Sequence, residues 1–329
     1  MRVAIVGAGA VGGWLAGVLM RGGADVALLA RGAAHQALRD RKLVLLEGGS
    51  ERQFSAKVSN EASHLPRPDL VIFAVKTHHF AAAVADAAPL LAHGPLVATA
   101  MNGLPWWFLD GLAGPLASGR LHVLDPGPRA TRVLAGVRPL GVVVHASVAA
   151  IEPALLKVAA VDRLILGEPT GSVSVGTEEL ARHLEAGGVR STLTSQIRNE
   201  IWAKLWGNMN FNPVSALTRR TSAGILDDPW LLQLVRDMME EFRCVGERIG
   251  LKLPSSAEER LAVARRLGDF RTSMLNDLEA GRPLEVDGLL GVVVEMATRL
   301  GLAVPSSKAV YALARALPGG GTGTPSRAD

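Results

Sequence analysis

Cysteine is almost missing. Cys244 stands alone in 329 residues, which excludes an internal disulfide and fits a reducing compartment. Aromatic residues make up only 4%, although six of them are Trp. Charge of one sign never gathers into blocks: 35 Lys and Arg oppose 31 Asp and Glu, and the resulting net charge of +4 calls for no nucleic-acid surface. The eight histidines show no metal-ligand spacing, and the adjacent His78 and His79 would point in different directions, so no metal is expected. Long apolar runs are likewise few. The stretch VAIVGAGAVGGWLAGVLM at 3–20 follows Arg2 and faintly imitates a signal peptide, but glycines at 7, 9, 12, 13 and 17 argue against a signal or membrane segment. A cytoplasmic protein without membrane or nucleic-acid partners is the expectation.

What is present suits two domains with sizeable cores: 48% of the residues are hydrophobic and 20% charged. The opening RVAIVG is a β-branched apolar run suited to a strand buried on both faces. GAGAVG follows at once, with Gly7, Gly9 and Gly12 in the spacing of a dinucleotide-binding turn. The first glycine permits the tight turn, the second lets a pyrophosphate approach the backbone, and the third allows close helix–strand packing. A helix from about Ala10 to Arg21 then aims its free amides, those of Ala10 and Val11 among them, at the phosphates. Where an NAD site usually carries an acid at the end of the second strand, LLARG places Arg31. A carboxylate there would repel a 2′-phosphate, whereas a guanidinium can grip it through paired hydrogen bonds, which favours NADP(H).

Further strands alternate with helices, the order of a doubly wound α/β sheet. PDLVIFAVKTHHF puts Lys76, and GPLVATAMNG puts Asn102, just beyond the carboxyl end of a strand, where ligands of such sheets collect. Taken alone, Lys76 could equally be a surface lysine and Asn102–Gly103 plain turn chemistry. From about Gly141 to Glu168 short strands suggest an antiparallel edge, and GSVSVG at 171–176 reads as a linker. The expected domains are therefore 1–170 and an all-helical 171–317, with a disordered polar tail at 318–329.

Within the helical half, IWAKLWGNMNFNPVSAL at 201–217 sets Lys204, Asn208 and Asn212 four residues apart among apolar neighbours. Asn is a poor helix-interior residue because its amide competes for backbone hydrogen bonds. At that spacing the three form a polar row about 12 Å long on one helical face. A structural helix bent at Asn212–Pro213 would account for the pattern equally well.

At this point the chain resembles the ketopantoate reductase family (2-dehydropantoate 2-reductases) over about residues 1–316. The resemblance rests on GAGAVG, Arg31, VKT at 75–77, NG at 102–103, KLWGNMNFNPVSALT at 204–218 and SMLNDLEAGRPLEVDG at 273–288. It implies an N-terminal Rossmann-type domain, an all-helical C-terminal domain, and NADPH bound between them. It implies reduction of a small-molecule 2-oxo acid, ketopantoate first, to (R)-pantoate. Carried over by motif, Lys204 matches the catalytic lysine and general acid, and Glu285 an acid that assists it. Asn102, Asn208, Asn212 and Ser273 match substrate-binding positions, Asn102 also lying on the cofactor side. Lys76 matches a lysine near the reacting centre. A homodimer is an assembly to consider, one on which the sequence itself is silent. The chain departs from the family pattern in having Leu290 before Gly291, and in Trp106 and Trp107 after NG. These two are either local core or bulk at the substrate mouth, the latter implying a larger 2-oxo or 3-oxo acid. A non-catalytic NADP-binding sensor on the same fold is the reading from another class.

Overall fold

The structure, a computed structural model, describes residues 1–112, 114–117, 121–125 and 127–321. Residues 322–329, most of the expected disordered tail, lie outside the described residues. Residues 318–321 form a turn in which the Gly319 carbonyl accepts from the Leu284 amide at 2.8 Å. Contacts divide the chain into two compact units, Met1–Met101 with Pro126–Glu200, and Asn102–Asp125 with Ile201–Asp329.

The first unit is built on one ten-stranded sheet among the described residues. Its strands are β1 (Arg2–Val6), β2 (Asp25–Leu29), β3 (Leu43–Glu47), β4 (Ser50–Phe54), β5 (Lys57–Ser59), β6 (Leu70–Phe73), β7 (Leu96–Thr99), β8 (Arg138–Glu152), β9 (Leu155–Gly167) and β10 (Ser191–Leu193). They run in the order β4-β3-β9-β8-β7-β6-β1-β2-β5, with β10 alongside β9. β8, β7, β6, β1, β2 and β5 pair in parallel. The chain leaves β1 for β2 on one side and returns as β6 on the other, so β1 is the switch point at whose carboxyl end such sheets bind ligands.

The 141–168 region differs from the expected edge of short strands. β8 and β9 are two long antiparallel strands interrupted by bulges, and they stand inside the sheet. The reason lies in β9, whose two ends find different neighbours: Leu155–Val158 pairs with β3 and Leu164–Leu166 with β10.

Helices α1 (Ala10–Arg21), α2 (Gly32–Asp40), α3 (Phe80–Asp86), α4 (Ala88–Leu91), α5 (Gly127–Leu134) and α6 (Val175–Ala186) belong to this unit. α1 buries Trp14, Leu15, Val18 and Leu19 against the sheet. Two further glycines of its sequence, Gly13 and Gly17, bring it close: a methyl on them would stand 2.7 Å from Leu156 and 2.5 Å from Leu45. The 171–176 segment leads into α6 rather than out of the unit. Ser174 caps α6, and His183 Nδ1 lies 2.8 Å from the Gly22 carbonyl, so α6 is held against the end of α1.

The second unit is helical. It contains all but the first turn of α7 (Ile197–Thr218), then α8 (Ser222–Leu226), α9 (Pro229–Arg248), α10 (Ala257–Arg266), α11 (Ser273–Glu279), α12 (Val292–Arg299) and α13 (Pro305–Arg315). Its core stacks Trp202 of α7 on Phe242 of α9, with ring centroids 3.9 Å apart, and on Phe108 at 6.1 Å. Trp206 Nε1 donates to the Met239 carbonyl at 3.1 Å, tying the same two helices. Residues 102–125 join this unit because the Glu295 carboxylate of α12 accepts from the His122 and Val123 amides at 2.7 and 3.1 Å. Among the described residues no helix is long and apolar enough to cross a membrane.

Candidate active site

In the first unit the carboxyl ends of β1, β2 and β6 stand side by side, Val6 being in register with Leu29 and Phe73. Gly7, Arg31 and Lys76 follow these three strands within a few residues, so the sheet gathers at one end what the sequence spreads over seventy positions. Gly7 has φ +101°, a conformation open to glycine at little cost, and a methyl on it would sit 2.7 Å from the Ala74 carbonyl oxygen. A methyl on Gly12 would overlap the Gly7 carbonyl oxygen. Around Gly9 the space is open, with nothing within 4 Å of where a Cβ would point. The three roles expected of the glycine turn are thus separable in the geometry: conformation, ligand approach and helix packing. Gly9 caps α1 without a side-chain hydrogen bond, leaving the first-turn amides of Ala10 and Val11 for an anion.

Arg31 is exposed and ion-paired with Asp86 of α3. Exposed pairs contribute only about 0–1 kcal/mol, so this one gives way readily to a phosphate. Lys76 is half-buried at the start of a short turn, its carbonyl accepting from the His79 amide at 2.9 Å. These features suit a dinucleotide bearing a 2′-phosphate: an open approach at Gly9, uncapped amides, and a base where an acid would select against the phosphate.

In the second unit, α7 runs unbroken through Pro213 to Thr218. Three asparagines lie close together on it, and they behave differently. Asn210 is fully buried and uses both ends of its amide, donating to the Trp206 carbonyl at 2.7 Å and accepting from the Phe211 amide at 2.6 Å. Its side chain is thereby inserted into the helix ladder, a recognised cause of local bending, just before the proline. Asn208, half-buried, and Asn212, buried, have no side-chain hydrogen bond among the described residues. Their amide atoms are not closed off from solvent as an orphaned core group would be, so both stay open to a ligand on one face of the helix.

Lys204 begins the same face. It too has no hydrogen-bond partner among the described residues. Burial of its ammonium pulls the pKa down to about 8, and the negative charge of Glu285 holds it from falling further. Glu285 is buried. It stands just ahead of a wide π-helical turn, Asp287–Gly291, that opens into α12. Such turns are frequent at functional sites because the extra residue re-aims the side chains around it. Tyr311 packs on this turn: its ring lies against Gly291, where a methyl would stand 2.9 Å away, and its hydroxyl donates to Asp287 at 2.7 Å.

Asn102 is half-buried, three residues beyond β7, and the following Gly103 turns the chain at φ +83°. Ser273 is exposed as the first residue of α11, whose cap is the neighbouring Thr272, accepting from the Leu275 amide at 3.2 Å. Trp107 is only 1% exposed and belongs to the core with Phe108, whereas Trp106 is half-buried. Sequence reasoning passed over one contact of α7. Arg260 of α10 lies flat against Gly207, where a methyl would overlap its Nη2 and stand 3.2 Å from Cζ. A glycine inside a helix, costing about 1 kcal/mol relative to alanine, was the available signal.

Comparison with known proteins agrees with this arrangement. Residues 3–108 match the family described as ketopantoate reductase PanE/ApbA, and residues 196–318 match its C-terminal domain. A 2-dehydropantoate 2-reductase of Mesorhizobium japonicum is 39% identical over 318 residues, covering 96% of this chain and 98% of its own. A crystal structure from Ralstonia solanacearum, provisionally named a ketopantoate reductase, superposes with a TM-score of 0.89 at 40% identity, covering 95% of this chain and 96% of its own. A PanE/ApbA family ketopantoate reductase from Ralstonia eutropha gives 0.82 at 27%, covering 97% and 98%. With its paired domains, glycine turn and lysine–asparagine row, the chain belongs to the ketopantoate reductase family.

Proposed function

We propose that the protein reduces a 2-oxo acid with NADPH, ketopantoate being the first candidate and (R)-pantoate its product. The observation that carries this reading is the contrast on α7: Asn210 is satisfied by the helix, while Lys204, Asn208 and Asn212 are not. NADPH, when bound, supplies the hydride that adds to the keto carbon.

As the carbonyl π electrons move onto oxygen, that oxygen needs a proton. Lys204 Nζ–H supplies it and becomes a neutral amine, a change that its depressed pKa makes easy near neutral pH. Before the step, its positive charge favours the developing negative oxygen in surroundings shielded from water. Glu285 keeps the ammonium charged while it waits. The amides of Asn208 and Asn212, with Asn102 and Ser273, hold the carboxylate and hydroxyl oxygens and so fix which face of the ketone is presented. In the first unit, Gly7, Gly9, Gly12, Ala10, Val11, Arg31 and Lys76 are the residues that would hold the dinucleotide. Protein of this kind would work in the cytoplasm.

A larger substrate is the weaker reading, because Trp107, one of the two residues that suggested it, is core. A sensor has no use for a desolvated amine that an acid keeps charged. The test is NADPH oxidation with ketopantoate beside bulkier 2-oxo acids. Turnover strongest with ketopantoate is expected; turnover confined to a bulkier acid changes the substrate, and NADPH binding without any oxidation favours the sensor.

A further inference from the structure

The Glu285 charge acts on Lys204 although the two come from segments far apart in the chain, one on α7 and one just ahead of the turn Asp287–Gly291. The connections that fix their separation lie within the second unit. α7 is bound to α9 through Trp206, which donates to the Met239 carbonyl at 3.1 Å, and through the stacked rings of Trp202 and Phe242. α9 in turn holds α13. Val304, at the start of α13, has no side chain able to cap a helix. The Glu241 carboxylate of α9 takes that place, accepting from the Ser306 and Ser307 amides at 2.8 Å each.

The far half of α13 fastens the segment that carries Glu285. Tyr311 lies across the π-helical turn, its ring against Gly291 and its hydroxyl donating to Asp287 at 2.7 Å. Burial and the Asp287 carboxylate both hold the proton on this phenol, which is therefore a donor at neutral pH. Arg315, one helical turn on, stands 3.7 Å from the same carboxylate. On the other side of Glu285, the Leu284 amide donates to the Gly319 carbonyl at 2.8 Å, just beyond α13. The Glu285 carbonyl itself accepts from the Leu289 amide at 3.1 Å, inside the turn. α12 and the 122–124 turn also pack against this segment. Their charges are engaged or face solvent: Glu295 pairs with Arg299 at 2.6 Å and accepts from the His122 and Val123 amides, and His122 is exposed, as is Lys308 on α13. A phenylalanine at 311 would fill the same space against Gly291. What the hydroxyl adds is direction, because a hydrogen bond to a carboxylate is short and oriented.

We infer that the Tyr311–Asp287 hydrogen bond is a positioning device, keeping the turn in the form that presents the Glu285 carboxylate to Lys204. Tyr311 and Asp287 act through Glu285 and not on the substrate. The use made of the lysine rests on the reductase reading above.

The experiment follows kcat and KM against pH for the full-length wild type, Tyr311→Phe, Asp287→Ala, Asp287→Asn, Glu285→Gln and Tyr311→Phe/Glu285→Gln. Tyr311→Phe should leave kcat and KM for ketopantoate within about twofold at about pH 6, where Lys204 is protonated in every variant. The descending limb of kcat/KM should move down by about 0.5 pH unit, which at about pH 8.5 is roughly a threefold loss. Asp287→Ala should do the same. Asp287→Asn, whose amide oxygen still accepts from the hydroxyl, should recover part of the shift. In the Glu285→Gln background Tyr311→Phe should move the limb no further. An unmoved limb in Tyr311→Phe, an equal loss at every pH, or a shift that persists without the Glu285 carboxylate overturns the inference. Melting curves separate it from the reductase reading. Weaker support for the buried ammonium should widen the gap in melting temperature between Lys204→Met and its parent, at about pH 7, when that parent is Tyr311→Phe. Such widening without turnover of any 2-oxo acid upholds the positioning and removes the reductase reading. Turnover with neither widening nor a moved limb does the reverse.

Discussion

Glu285 acts on Lys204 in opposition to burial: desolvation drives the Lys204 amine toward its neutral form, and the carboxylate charge holds the proton on. The balance leaves an amine that titrates near 8, a value that suits the proposed proton transfer near neutral pH. For the free enzyme, kcat/KM should therefore fall as pH rises through about 8, because the proton donor is lost. In Glu285→Gln the raising influence is gone, so the descending limb should move to lower pH. A limb that stays in place or shifts upward separates Glu285 from the lysine.

The same shift has a consequence for stability. The amine binds its proton less tightly in the folded chain than in the unfolded one, whose lysine titrates at the ordinary 10.5. Folding therefore bears the full cost of the buried charge below about 8 and is relieved of it as pH rises toward 10.5. Lys204→Met should melt higher than the wild type at pH 7, and the gap should narrow by pH 10. A variant that melts lower at pH 7 shows that the ammonium is better compensated than its surroundings indicate.

The glycine turn allows a sharper test than loss of function. Gly12→Ala would overlap the Gly7 carbonyl oxygen and should lower the melting temperature of the apo protein, at a cost of about 1–3 kcal/mol. Gly9→Ala points a methyl into open space and should leave the apo protein's melting temperature nearly unchanged while weakening NADPH at least tenfold. Differential scanning fluorimetry with and without NADPH distinguishes them. If Gly9→Ala binds normally, the pyrophosphate does not approach there.

Arg31→Ala should weaken NADPH at least tenfold and NADH far less, because one guanidinium–phosphate contact is lost for one dinucleotide alone. Asp86→Asn frees Arg31 from its ion pair and should tighten NADPH modestly. Dissociation constants from nucleotide fluorescence titrations decide both. Equal losses for the two dinucleotides in Arg31→Ala refute the phosphate role.

Much of this was legible in the sequence because it is local. The glycine turn follows from three positions in a dozen residues, and the row on α7 from a spacing of four. What the sequence hid depends on contacts between distant segments. Asn210 looks like Asn208 and Asn212 until the ladder around Pro213 shows that it alone is satisfied. The long β8–β9 hairpin appeared as an edge because nothing local reveals that β3 and β10 would flank β9. Arg260 carried no signal of its own, and only its contact with Gly207, more than fifty residues earlier, brings it against α7.

The central claim is that the Lys204 amine delivers the proton that completes reduction. The most direct measurement is NADPH oxidation with ketopantoate by Lys204→Ala, with NADPH affinity titrated in parallel. Removal of a general acid should lower kcat about 10²- to 10⁴-fold while the NADPH dissociation constant stays within about twofold of the wild type. A variant that keeps wild-type kcat contradicts the claim.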